Sequence, residues 1–170
     1  MARFKIVPGR SRFWVEARSS LHPIKAETAG VGGYLEAEID GGQPDLKVPP
    51  QGKIEVDVDS LKTGNALYDH ELERQLEVRK YPRIRGEILE VKELDTGRRY
   101  RVKGNLSLHG VTKMVEGEVN LKILDDGNFE VEGEKVFDIR DFGLTPPRIL
   151  MLKVYPDVKV RGRVVAEKQS

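Results

Sequence analysis

The sequence predicts a mainly β fold: a closed antiparallel barrel of about eight strands, with one short amphipathic helix closing or flanking one end. Three observations predict it. Apolar and polar residues alternate with period two along most of the 170 residues, the pattern of strands with one buried and one wet face. Glycines recur at the apolar parity of these strands. Only one stretch repeats instead at helical spacing.

Taken in chain order, Phe13, Val15 and Ala17 alternate with Trp14, Glu16 and Arg18, and Val31, Leu35, Ala37 and Ile39 share the next apolar face. Ile54, Val56 and Val58 alternate with Lys53, Glu55, Asp57 and Asp59. Ile84 and Ile88 share a face, as do Tyr100, Val102, Leu106 and Leu108. Val115, Val119, Leu121 and Ile123 follow, then Phe129 and Val131, and last Val158, Val160 and Val164. Asp40-Gly41-Gly42, Pro49-Pro50, Asp95-Thr96-Gly97, Asp125-Asp126-Gly127 and Pro146-Pro147 supply the turns between them. One hairpin is set by parity alone. Ile123 and Phe129 must both face inward, so Asp125-Asp126-Gly127 forms a three-residue loop with Gly127 left-handed, and Lys122 stands opposite Glu130. The helix begins after Asn65, a good N-cap, with Asp69 and Glu71 in its first turns. Its apolar stripe is Tyr68, Leu72 and Leu76, and Pro82 helps to end it. Residues 1–170 contain no repeat or linker and read as a single domain.

Gly33, Gly86, Gly104, Gly117, Gly133 and Gly162 all fall on apolar faces, where glycine weakens a strand and so needs a reason. Two reasons stand. Barrel closure needs sharp bends, which glycine allows. Alternatively, the missing side chains leave an unfilled lumen, since an eight-stranded barrel either packs solid or holds one small ligand. The expected lumen wall is Phe13, Val15, Val56, Val58, Ile84, Ile88, Val102, Leu106, Leu108, Val119 and Val160, with Gly104 and Gly117 among them. Such a wall offers a polar guest nothing for its lost hydration, whereas each buried methylene gains about 0.8 kcal/mol. A guest would be apolar, and Gly104→Leu or Gly117→Leu would fill its space.

Composition removes several classes. Without cysteine there is no disulfide, thiolate nucleophile or cysteine-bound zinc. The 29 basic and 28 acidic residues give a net charge of +1, and no basic face is interleaved with aromatics, so nucleic acid is not an expected partner. No apolar run approaches the roughly 18 residues of a spanning helix. No secretory-type apolar stretch opens the sequence, so the expected setting is the cytoplasm. There is no nucleophile elbow, phosphate loop or dinucleotide fingerprint, and His22, His70 and His109 lack metal-site spacing. Neither catalysis, a metal nor a cofactor is expected.

The segments Ser60-Leu61-Lys62-Thr63-Gly64-Asn65, Asp69-His70-Glu71-Leu72 and Tyr81-Pro82-Arg83-Ile84 are followed by Gly104-Asn105-Leu106-Ser107-Leu108-His109-Gly110-Val111-Thr112-Lys113 and by Asp138-Ile139-Arg140-Asp141-Phe142-Gly143. In this order they resemble the YceI-like family over essentially the whole chain. The resemblance implies a lipocalin-like barrel that binds a polyisoprenoid or isoprenoid-quinone lipid in its lumen. Many relatives carry a secretory signal and work in the periplasm.

A polar head group would need donors where the lumen opens. Thr63 and Asn65 at the helix start, and His109 with Lys113 at a rim turn, are the candidates, although a capped helix and an ordinary turn would explain them as well. The run Arg148-Ile149-Leu150-Met151-Leu152 breaks alternation. It is best read as a strand buried on both faces, and otherwise as a homodimer contact or a place of transient membrane contact. The expected function is a non-catalytic carrier of an isoprenoid lipid. The alternatives are a solid barrel serving as a protein-interaction module and, behind that, a small-molecule enzyme.

Overall fold

Alternation becomes strand along most of the chain. A computed structural model describes residues 1–95, 98–149 and 151–169, so the Thr96-Gly97 part of one expected turn and Leu150 lie outside the described residues. The strands are β1 (Ala2–Ile6), β2 (Arg12–Ser19), β3 (Ile24–Thr28), β4 (Val31–Asp40), β5 (Gln43–Asp45), β6 (Gln51–Asp57), β7 (Arg83–Asp95), β8 (Arg99–Leu108), β9 (Val111–Ile123), β10 (Phe129–Asp138), β11 (Arg148–Ile149) and β12 (Leu152–Lys168). The helix α1 spans Ala66–Gln75.

The barrel has eight staves because two of them are kinked pairs of strands. β1 and β2 run end to end through a turn at Pro8–Arg10, and β3 and β4 through Ala29-Gly30. β1 pairs with β4 and β2 with β3, while β12 pairs with both β1 and β2. The wall then continues β4, β6, β7, β8, β9, β10 and β12, each neighbour antiparallel, and so closes. Closure pairs each stave of the barrel, along at least part of its length, with a neighbour on both sides.

The parity-set hairpin forms as expected. Phe129 pairs with Ile123 and Glu130 with Lys122, and Gly127 has φ +84°. Two further hairpins turn in two residues, both with positive φ: Gly41-Gly42 and His109-Gly110, the arrangement that matches strand twist. In α1, Asn65 Oδ1 accepts from the backbone N–H groups of Leu67 and Tyr68 at 3.0 and 3.2 Å. The helix ends earlier than Pro82 requires. Leu76 caps it and Glu77 takes a left-handed φ of +47°.

Two apolar clusters close the ends. Phe4, Phe129 and Ala166 fill one, with the two rings stacked at 4.8 Å. Val58, Leu76 and Leu144 fill the other, beneath α1. Val58 thus sits in a short turn, Val58–Ser60, rather than in a strand, and serves the core under the helix.

Outside the wall, the Pro8–Arg10 turn folds over β12 and buries Ser11 and Val165. Ser11 Oγ accepts from the Val165 N–H at 3.0 Å. Ser11→Ala orphans that buried donor, and the expected loss is about 1–3 kcal/mol in urea unfolding. Glu130, also buried, points outward and accepts from Arg163 Nε at 2.6 Å rather than bonding Lys122. That hydrogen bond holds the Glu130 carboxyl below its ordinary range. A carboxyl depressed in the folded state contributes stability above its unfolded value and loses it as pH falls through the folded one. Glu130→Gln is therefore expected to destabilise at neutral pH and to match the parent at strongly acid pH, read from urea midpoints across the range.

The unalternating run is not one strand buried on both faces. β11 ends at Ile149, which pairs with Leu152 of β12, so these two are buried while Met151, in the turn between them, is 95% exposed. Ser20 bonds Lys153 through both backbone and side chain, so the loop tips carrying Leu21 and Met151 lie side by side.

Candidate ligand-binding lumen

Inward residues of an eight-stranded barrel face one another across a gap that aliphatic side chains only partly fill. Here the gap persists as two chambers of about 380 and 360 Å³, each within the size range of small-molecule sites. Ile54, Gly86 and Leu106, neighbours on β6, β7 and β8, line both, so the two chambers adjoin at this patch of wall. From Tyr100 to Leu108, β8 travels about 27 Å, or about 20 Å along the axis at a typical barrel tilt.

The upper chamber takes in Phe13, Val15, Val56, Ile84, Leu106, Leu108 and Val160 of the expected wall, and the lower takes in Ile88, Val102, Gly104, Leu106 and Val119. Val58 and Gly117 line neither. Three groups of lining residues stand out among those the expected wall lacked. Tyr68, Leu72 and Leu76 of α1 roof the upper chamber, as their helical stripe foretells once the helix is placed across that end. Phe137 continues the parity of Phe129 and Val131, but Lys135 interrupts the pattern. Pro44, Leu46 and Pro50 line the lower chamber from a segment with no periodicity to read.

The glycines explain less of the space than their parity implied. The Phe13 ring lies over Gly162, Ile54 stands 2.9 Å from where a Gly86 Cβ would be, and Val119 3.0 Å from that of Gly133. Gly33, at φ +129°, and Gly104 instead admit neighbouring backbone: a Cβ on Gly104 would meet the Glu87 carbonyl oxygen at 2.6 Å. Close approach of neighbours is their role, so at these positions glycine does not leave empty lumen. Only the stem of Lys135 neighbours the Gly117 position, at 3.8 Å.

Polar residues line both chambers: Thr63, Glu71 and Gln75 the upper, and Glu36, Lys53, Glu87 and Tyr100 the lower. Thr63 Oγ1 donates to Asp69 at 2.7 Å and receives the Asn65 N–H at 3.1 Å, so its hydroxyl serves the helix start even though Thr63 lines the chamber. Asn65 Oδ1 is taken by the cap. His109 lies off the lumen, with Nε2 2.5 Å from Glu77 and its ring edge-on to Tyr81. Glu71 lines the mouth, and its hydrogen bonds to Arg74 keep its carboxyl below the ordinary range. At the lower chamber Tyr100 is 4% exposed, and burial pushes its phenol up, helped by Glu93. The arrangement binds hydrocarbon. It offers a polar group inside the lumen little to pair with.

A family model described as the YceI-like domain matches residues 4–166. A UPF0312 protein of Serratia proteamaculans is 34% identical over an alignment of 122 positions, which takes in 64% of this chain and 60% of the relative. The chain thus spans 60% of the length of that curated relative. Burkholderia cenocepacia BcnA has the same fold, with TM-score 0.77 at 14% identity over 94% of this chain and 98% of its own. So has a polyisoprenoid-binding domain from Saccharophagus degradans implicated in plant cell wall breakdown, with TM-score 0.73 at 15% identity over 98% of both chains. A Campylobacter jejuni YceI protein aligns at TM-score 0.69 and 15% identity over 86% of both chains.

Proposed function

The chain belongs to the YceI-like domain family, and from that membership we propose that it is a non-catalytic carrier holding the hydrocarbon of an isoprenoid lipid in its lumen. The observation that carries the proposal is the adjoining pair of apolar chambers inside the barrel, with only Ile54, Gly86 and Leu106 in the wall they share. A solid interaction module does not fit a barrel with such a lumen. The polyisoprenoid-binding domain of the same fold supports the ligand class.

The test is displacement of an apolar fluorophore by isoprenoids of increasing length. Affinity is expected to rise with each unit until the lumen is full, at up to about 0.8 kcal/mol per buried methylene. No displacement, or affinity indifferent to length, would sink the carrier reading.

Exchange with a bilayer fits the upper mouth. Leu21 and Met151, 79% and 95% exposed, stand on the adjacent tips. Residues 19–25 and 146–153 hold Lys25, Arg148 and Lys153 and no carboxylate, which suits an anionic surface. Leu21→Glu with Met151→Glu is expected to slow transfer from anionic vesicles while leaving fluorophore displacement unchanged. Equal transfer rates would remove the membrane from the account.

A further inference from the structure

The wall is not laddered to the same depth all round. β8 stays paired with β9 down to Leu108 and Val111, and β12 with β10 up to Asp138. Between β9 and β10, however, the described pairs run only from Phe129–Ile123 to Gly133–Val119. Residues 111–118 and 134–138 face one another across a seam without a ladder.

Two lysines stand at inward positions along this seam. Lys135 is paired with Val160, and Lys113 with Leu106, and both of those partners line the lumen. Yet Lys135 and Lys113 are exposed and line neither chamber. An inward position that meets solvent without facing the lumen marks a breach in the wall beside it. The Lys135 stem passes over Gly117, and its ammonium lies 5.9 Å from the ring of Phe137, which lines the upper chamber.

The neighbouring carboxylates are engaged elsewhere. Glu116 and Glu118 face outward to Arg101 and Arg99, and Glu134 to Lys159. The Lys135 ammonium, beside the Phe137 ring, borders hydrocarbon space, a setting that favours an anion with an apolar tail.

We infer that the β9–β10 seam is a side opening at which Lys135 holds the anionic head group, phosphate or carboxylate, of a lipid whose chain occupies the lumen. The inference rests on the carrier reading and adds the charge of the guest.

The experiment measures displacement of the apolar fluorophore by geranylgeranyl diphosphate, a fatty acid of similar length and the neutral alcohol geranylgeraniol, with the parent chain, Lys135→Glu and Lys135→Met. Lys135→Glu is expected to weaken one or both anionic probes by about tenfold or more and the alcohol by less than about twofold, with Lys135→Met between. Loss for the diphosphate alone identifies phosphate as the head group, and loss for the fatty acid alone identifies carboxylate. High salt should erode the same preference in the parent. Equal changes for all three probes, or none, overturn the side opening and leave the lumen intact. Failure of every probe to bind the parent overturns the carrier reading and this inference with it.

Discussion

Leu106→Trp is expected to abolish uptake of long isoprenoids while the barrel still folds. Leu106 lines both chambers, beside Gly86 and, one strand further, Ile54 on the same patch of wall, so a ring there projects into the space where the two chambers adjoin. Extra volume in a filled core strains it by about 1–3 kcal/mol, and the space beside Leu106 keeps the cost at or below that range. Circular dichroism should therefore be unchanged, short isoprenoids should still displace the fluorophore, and long ones should not. Retained long-chain binding would place the ligand outside the barrel. Gly104→Leu, the blocking variant that parity alone suggests, is unsuitable. Its Cβ would strike the Glu87 carbonyl, so loss of binding would report loss of fold.

Phe4→Ala is expected to cost about 3–5 kcal/mol, the range for an aromatic removed from a packed core. Phe4 is 2% exposed, stacks on Phe129 and packs with Ala166 at the end where β1 and β12 complete the barrel. It also lines the lower chamber, so truncation opens the floor as well as loosening the closure. Urea unfolding should show the loss as a lower midpoint, and a change below about 1 kcal/mol would mean that the closure does not depend on this cluster.

Strand direction was legible because parity is local. The face of Val102, Leu106 and Leu108, the β9–β10 turn and the cap at Asn65 all follow from residues within a few positions of one another. What lies across from an inward residue is not local. Gly104 and Gly117 have the same parity, yet one faces a carbonyl and the other a lysine stem, a difference set by register between strands distant in sequence. The same limit hid the kinks. Val7 to Ser11 gives no periodic signal, so Phe4 and Ile6 were not counted as a stave although both are buried. Lys135 ended the readable alternation of its strand before Phe137, and the seam could be seen only once the β9–β10 ladder was known to stop at Gly133.

Two of the head-group candidates are engaged elsewhere. Asn65 and His109 have the right chemistry, but the helix cap and Glu77 already engage them. Sequence alone shows a donor or acceptor without showing whether it is free.

The central claim is that the lumen holds a lipid, and native mass spectrometry of the purified chain tests it most directly, with solvent extraction to identify what is released. The account predicts a stoichiometric hydrophobic adduct in the parent, or one gained on incubation with isoprenoid quinones and prenyl phosphates, and no long-chain adduct in Leu106→Trp. A clean apo mass for the parent, unchanged after those incubations, would contradict it.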